Sequence, residues 1–311
     1  MDNLILGVDG GQTSTKCVLM DADGRVLGHG RGVGLIHLAA EGGPERMREA
    51  LGACIASAFA DADIEARPLE AIGLGLTGIT SAEAPEAQTV RTLVAETFMP
   101  RIVVVENDAY TALLGAHAGG PGVVAISGTG SIVCGINAHG EVQRAGGWGW
   151  LLGDEGSGLW IGRSGLMAAL RAVDEIGPPT ALVGGFLSHF AIGDMLAVKP
   201  IVYRSDFGAK GFAALAAVVS DAARDGDAVA QDVIAAGGAA LAELVSAVVR
   251  RLDADAALPV APVGGAFEHV HGLRDVFALA LKQRAPSCQV VDPQASPMHG
   301  AALMALRAAG L

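Results

Sequence analysis

The chain has 311 residues, with 21 Lys+Arg against 33 Asp+Glu for a net charge of −12, and is 51% hydrophobic but only 17% charged. Such a composition excludes a disordered chain, which is poorer in apolar residues, and a pI near 5.0 makes nucleic acid and anionic membrane surfaces poor partners. The length predicts two lobes, because single cores stop growing at about 250–300 residues.

In chain order, hydrophobic period and turn punctuation predict strands at 3–9, 15–20 and 25–30, a three-stranded meander with a DADG turn at 21–24. A helix at 44–60, a strand at 70–76, a helix at 84–97, a strand at 101–105 and a helix at 108–117 follow, giving the order βββαβαβα. From 122 the order begins again, with VVAIS, SIVCGIN and EVQRAG as a second meander, so that GVDGGQTSTKCVLMDADGRV and VAISGTGSIVCGINAHGEV read as one duplicated unit. A mostly helical insertion occupies 159–225. A helix at 227–252, strands at 259–263 and 288–292, and helices at 269–284 and 297–308 complete the second copy. The expected architecture is α/β, with two lobes and an interlobe cleft. The boundaries are expected at 1–119 plus 297–311 for the first lobe and 120–296 for the second.

Mean hydropathy is +0.44. No uncharged apolar run reaches the roughly 18–20 residues of a spanning helix, and Met1 to Leu6 has neither the basic region of a signal nor that of a transit peptide. A cytoplasmic protein without membrane partners is therefore expected. Cys17, Cys54, Cys134 and Cys288 lie far apart with no CxxC, and read as reduced, buried side chains.

The chain contains 44 glycines, about twice the usual share of roughly 7%. They cluster beside apolar runs, in DGGQTST, GLGLTGIT, SGTGS, GGWGWLLGDEGSG and VGGAF. Backbone that approaches a ligand closely needs residues without Cβ. The turn after Asp9, with Gly10, Gly11, Gln12, Thr13 and then Lys16, and its copy Gly128-Thr129-Gly130 each present N–H groups and hydroxyls suited to a phosphate. Singly each turn is an ordinary hairpin; at matching places in a duplicated unit the pair points to a nucleotide. No GxxxxGK[ST] or HRD pattern offers another phosphate motif, and SGTGSIV lacks the third glycine of GxGxxG.

Asp9 beside an anion-binding turn makes sense with a divalent cation or its waters between them, or else as a turn cap. Glu106-Asn107-Asp108 ends a strand and opens a helix. Two readings stand there, a helix N-cap or a carboxylate that accepts the proton of an attacking hydroxyl. In GGWGWLLGDEGSG, Trp148 and the Asp154-Glu155 pair offer a polyol a stacking face and hydrogen-bond acceptors. VGGAF at 263–267 is either a slot for a nucleotide base or a strand-to-helix turn. His37 follows the first meander, where a substrate loop is expected.

DGGQTSTK, ENDAYTALLGAH, ISGTGS, GGWGWLLGDEGSG and VGGAF together resemble the N-acetylglucosamine kinase family. That family is grouped with the BadF/BcrA-type ATPases in the sugar kinase, heat-shock and actin superfamily, and the resemblance spans essentially the whole chain. It implies ribonuclease-H-like lobes, an actin-like ATPase fold and ATP-dependent phosphorylation of an amino sugar at the 6-hydroxyl. It further implies Thr13 and Thr129 at the ATP phosphates, Gly264 and Gly265 at the adenosine, and Mg2+ oriented by Asp9 through water. Asp108 would be the catalytic base, and Gly147-Trp148-Gly149 with Asp154 would hold the sugar, alongside His37, Asn107 and Glu155. A homodimer is implied by the resemblance alone. Ile36-His37 stands where animal members carry Asn-His, which leaves N-acetylglucosamine, glucosamine, N-acetylmuramic acid or another hexose derivative as the substrate. The alternative is an ATPase activase of the BadF/BcrA kind, for whose shared iron–sulfur cluster the spacing of the four cysteines is unsuited.

Overall fold

The computed structural model describes residues 3–11, 14–36, 38, 40–252 and 257–311. The chain divides into two compact units, Met1–Gly120 with Pro293–Leu311, and Pro121–Asp292.

The first unit contains β1 (Ile5–Gly10), β2 (Ser14–Met20), β3 (Val26–Val33), α1 (Gly43–Asp61), β4 (Ala71–Leu76), α2 (Pro85–Phe98), β5 (Ile102–Asn107) and α3 (Asp108–Ala116). Its sheet runs β3-β2-β1-β4-β5, antiparallel in the meander and parallel among β1, β4 and β5. All six residues of β4, AIGLGL, are buried, as a central strand covered on both faces requires.

The second unit begins with β6 (Gly122–Ser127), β7 (Ser131–Ile136) and β8 (Val142–Gly146). The insertion consists of α4 (Gly158–Val173), α5 (Leu182–Phe190), α6 (Val198–Val202), α7 (Gly208–Ala214) and α8 (Ala216–Arg224). After it come α9 (Ala228–Arg251), β9 (Pro259–Val263), α10 (Gly265–His269), α11 (Leu273–Arg284) and β10 (Gln289–Val290). The sheet order β10-β9-β6-β7-β8 repeats that of the first unit, strand for strand.

The last helix, α12 (Pro297–Ala309), belongs to the first unit. Ala302, Ala305 and Leu306 pack there on Ile5, Val18 and Ala71. The segment leading into it is tied to the end of α3, where the Gln294 and Ala295 amides donate to the Ala116 and Gly115 carbonyls at 3.0 and 3.1 Å.

Three details depart from the sequence reading. The helix expected at 269–284 is two helices, α10 and α11, parted by Gly272 at φ 77°. The strand expected at 288–292 pairs over two residues only. By length and composition α9 is apolar enough to span a membrane, although Asp232 and Glu243 interrupt its sequence. It packs as a core helix, with Ile234, Leu241, Val245 and Val248 buried in the main cluster of its unit.

Candidate active site

In the first unit the carboxyl ends of three parallel strands align, with Asp9 opposite Gly75 and Gly75 opposite Glu106. That edge is where open α/β sheets place ligands. Asn107 caps α3, its Oδ1 accepting the Tyr110 amide at 2.7 Å, so Asp108 is the first residue of the helix proper. The cap role therefore falls to Asn107 and the Asp108 carboxyl is not spent on it. Burial raises the pKa of Asp108, while the amides of Ala109 and of Asp108 itself and the Thr77 hydroxyl draw it back. Asp9 is pushed up to about 6 by burial and by the charge of Asp108, against the opposing charge of Lys16. Lys16 is exposed and pairs with Asp9 across the β1–β2 ladder. Glu106 is raised as well, by burial and by Glu83, and lowered by the Asn107 amide and Arg91.

The first glycine turn is closed by the Gly11 amide donating to the Ser14 carbonyl at 3.1 Å, which leaves that N–H occupied. Gln12 and Thr13, on which its phosphate reading depends, lie outside the described residues, as does His37.

In the second unit the turn between β6 and β7 is held from behind by the segment 154–158. Ser127 Oγ donates to the Gly156 carbonyl at 2.9 Å and Ser131 Oγ to the Glu155 carbonyl at 2.8 Å. The Gly158 amide closes on the Gly128 carbonyl at 2.9 Å, and Leu159 on that of Thr129 at 3.2 Å. Ser157 caps α4 by accepting the Trp160 amide at 3.1 Å. Inside the turn the Gly128 amide bonds to the Gly130 carbonyl. Among the described residues, the amides of Thr129 and Gly130 donate to no protein acceptor. Thr129 is exposed. Two free N–H groups and a hydroxyl thus lie at the end of a buried strand, donors of the kind an anion takes.

Asp154 is buried at φ 63°, a backbone conformation that side-chain-bearing residues rarely adopt. Its carboxylate accepts the Ser131 amide at 3.3 Å. A Cβ at Gly130 would come 2.8 Å from its Oδ2. Burial and Glu155 raise its pKa, and the Ser131 and Gly149 amides with Arg163 lower it. Asp154 thus braces the β6–β7 turn and ties the tryptophan loop to it. Glu155 contributes its backbone carbonyl to the same brace.

The loop itself starts from the Gly147 amide bonded to the Ser131 carbonyl at 3.0 Å. Gly146, Gly147 and Gly149 all have positive φ, and Trp148, Leu151 and Leu152 stand out of the surface at 67%, 73% and 80% exposure. Gly264 sits at φ 106° against Ser127, whose carbonyl oxygen would be 2.5 Å from an added Cβ. VGGAF and the β6–β7 turn therefore share one sheet edge, with Gly265 exposed at the start of α10.

Sequence reading has Ser127 and Ser131 in the second turn but not Thr77 or Ser157. Each lies inside or beside a glycine cluster that was noticed for its glycines, and the flanking hydroxyls were the available signal. The four cysteines are all buried and none is in a disulfide, with Cys17 Sγ donating to the Cys54 carbonyl at 3.1 Å. Among the described residues no three His, Cys, Asp or Glu side chains are grouped to hold a metal ion.

Two five-stranded sheets of identical strand order define the actin-like ATPase fold. The chain belongs to the BadF/BadG/BcrA/BcrD ATPase family, which it matches over residues 6–305. It is similar to the N-acetylmuramic acid/N-acetylglucosamine kinase of Clostridium acetobutylicum, at 29% identity over 97% of both chains. It is similar also to the N-acetyl-D-glucosamine kinase of Dictyostelium discoideum, at 29% identity over 97% of this chain and 98% of that one. Among solved structures, a candidate N-acetylglucosamine kinase from Chromobacterium violaceum superposes with a TM-score of 0.79 at 32% identity, covering 98% of this chain and 99% of the other.

Proposed function

We propose that the chain is an ATP-dependent kinase that phosphorylates an N-acylated amino sugar at its primary hydroxyl. The observation that carries this reading is Asp108, a carboxyl with a raised pKa at the end of β5, freed from capping by Asn107 and oriented by Thr77. A carboxylate whose pKa is lifted toward neutrality is a better acceptor of a hydroxyl proton. The ATP phosphates would bind the amides of Thr129 and Gly130, whose preorganised N–H groups stabilise charge on the transferring phosphoryl group. Gly264 and Gly265 would lie along the adenosine, and Trp148 with Gly147 and Gly149 would meet the sugar.

Asp9 and Asp108 are hard oxygen donors, and the charge of one raises the pKa of the other, so the donor chemistry fits a hydrated Mg2+. With no third protein ligand grouped beside them among the described residues, the ion would be held chiefly by water and phosphate. When bound, it would supply neutralising charge at the phosphates. The buried cysteines, none of them in a disulfide, suit a reducing compartment and hence the cytoplasm.

An apolar pocket supports an acylated substrate. Leu35, Ile36, Met47, Ile79 and Val90 line it together with Thr77, the residue bonded to Asp108. An acetyl methyl gains from such a lining, whereas an ammonium there loses its hydration. The exposed Glu86 stands on the same pocket.

ADP release with Mg-ATP is measured across N-acetylglucosamine, N-acetylmuramic acid, glucosamine, glucose and no sugar. Turnover is expected only with sugar and is greatest with the acetylated ones. Asp108→Asn should lower kcat by about 10²–10⁴-fold with the fold retained. Sugar-independent ADP release, or a fully active Asp108→Asn, would falsify the kinase reading.

A further inference from the structure

Along the outer edge of the second sheet runs a groove in which three guanidinium groups meet an indole. Arg144 of β8 and Trp148 form one side, and Arg250 and Arg251 of α9 the other. The Arg144 guanidinium carbon is 5.6 Å from the centre of the Trp148 ring. Arg251 Nη1 donates to the Arg144 carbonyl at 2.9 Å, and Arg250 Nη1 to Ser246 Oγ at 2.7 Å. Each bond fixes one nitrogen of a guanidinium and leaves further N–H groups open, since the group carries five donors. All three arginines are exposed, and among the described residues none of them forms an ion pair, although Glu155 and Glu243 line the same groove. In a chain of net charge −12, three such groups around one cavity are a local reversal of sign.

We propose that this groove is a second ligand site, which binds a compact oxyanion carried on a pyranose ring. The guanidinium fork matches phosphate and carboxylate geometry, and the indole offers the apolar face of a sugar a flat partner. The sugar half of this ligand class rests on the kinase reading; the anion half rests on the groove alone. Two sources carry that chemistry, a hexosamine 6-phosphate, which is the product class of the proposed reaction, and a sugar with a carboxylate substituent. Because Trp148 lies on the tryptophan loop, occupancy of the groove reaches the loop proposed to meet the substrate.

The full chain is titrated without ATP, following tryptophan fluorescence from Trp148, Trp150 and Trp160, with isothermal calorimetry as a second readout. The probes are glucosamine 6-phosphate, N-acetylmuramic acid, inorganic phosphate and N-acetylglucosamine. Saturable binding of either anionic sugar is expected, about tenfold tighter than inorganic phosphate, and the sugar that binds identifies the source. In the double variant Arg250→Gln/Arg251→Gln that binding should weaken about tenfold or more, as loss of charge-assisted hydrogen bonds implies. ADP release by the same variant, with sugar and no added anion, should stay at the wild-type rate. Absence of saturable binding in the wild type, or equal affinity in the double variant, overturns the site. Equal affinity for inorganic phosphate and the sugar phosphate overturns the part given to Trp148. Failure of the kinase reading appears separately, as no sugar-dependent ADP release, and leaves these titrations interpretable.

Discussion

Asp9 is a residue whose ionised form costs the fold stability. Folding takes its pKa from the ordinary 3.8 to about 6, because the carboxyl is buried beside Asp108. Between those values the folded chain binds more protons than the unfolded chain, so this carboxyl's contribution to stability falls as pH rises through that window. Asp9→Asn removes the penalty. The variant should melt higher than the wild type at pH 7, by the equivalent of about 1–3 kcal/mol, and the two should converge near pH 4. Melting curves from pH 4 to 8 check this; a gap that persists unchanged at pH 4 would show another cause. If the carboxylate serves Mg-ATP as proposed, the same variant should lose sugar-dependent ADP release, a gain in stability bought with activity. How much of the site was legible follows the same line. Asp9, Asp108 and Thr129 stand out in sequence because strand, turn and charge coincide there. The tie of Asp154 to the β6–β7 turn is not legible, because its left-handed backbone and its bond to the Ser131 amide arise only when two distant segments meet.

At the scale of the element, β3 shows why glycine can be misread as punctuation. A strand was expected at 25–30, but it continues to Val33. Gly28, Gly30 and Gly32 alternate along it, which places all three on one face of the pleat. A Cβ on each would meet the carbonyls of Ala58, Cys54 and Ala50, one helical turn apart on α1. The period of two in the strand thus fits the period of about four in the helix, and α1 lies on bare backbone. A single sequence shows the alternation but not the partner that makes it necessary. Gly30→Ala would drive a Cβ into the Cys54 carbonyl and to 2.7 Å from Cys17 Sγ. Because backbone must shift to admit it, a loss of about 1–3 kcal/mol is expected, read as a lower urea midpoint with an unchanged slope. Gly42→Ala, at a glycine with no atom within 4 Å of an added Cβ but with φ 73°, should cost less, about 1 kcal/mol from backbone strain alone. Capping side chains start α3, α4 and α9, at Asn107, Ser157 and Asp227, and of these only the one at the start of α3 reads as a candidate cap in the sequence.

For the whole molecule, the duplicated sheet order poses a question about which stretches of chain can fold alone. The core of the second unit draws on residues from Val123 to Cys288, all inside Pro121–Asp292. The first unit is different, because its β1–β4 face is covered by α12 from the far end of the chain. Gly7 and Gly73 have no side chains so that α12 can approach, an added Cβ on either meeting the helix backbone at Met298 or Ala301. Without 293–311 that face is open and Ile5, Val18 and Ala71 lose their cover. The ends to be joined are already close, since the Gln294 amide bonds to the Ala116 carbonyl and Arg307 Nη2 to that of Gly119 at 2.8 Å. Three chains test the consequence. Residues 121–292 alone should unfold cooperatively, and 1–120 alone should bind hydrophobic dye and lack a sharp transition. Residues 1–120 joined by a short glycine linker to 293–311 should regain one. A sharp melt for 1–120 by itself would mean that α12 is an accessory to this sheet, whereas recovery on adding 293–311 makes the last helix the piece that closes the first unit's core.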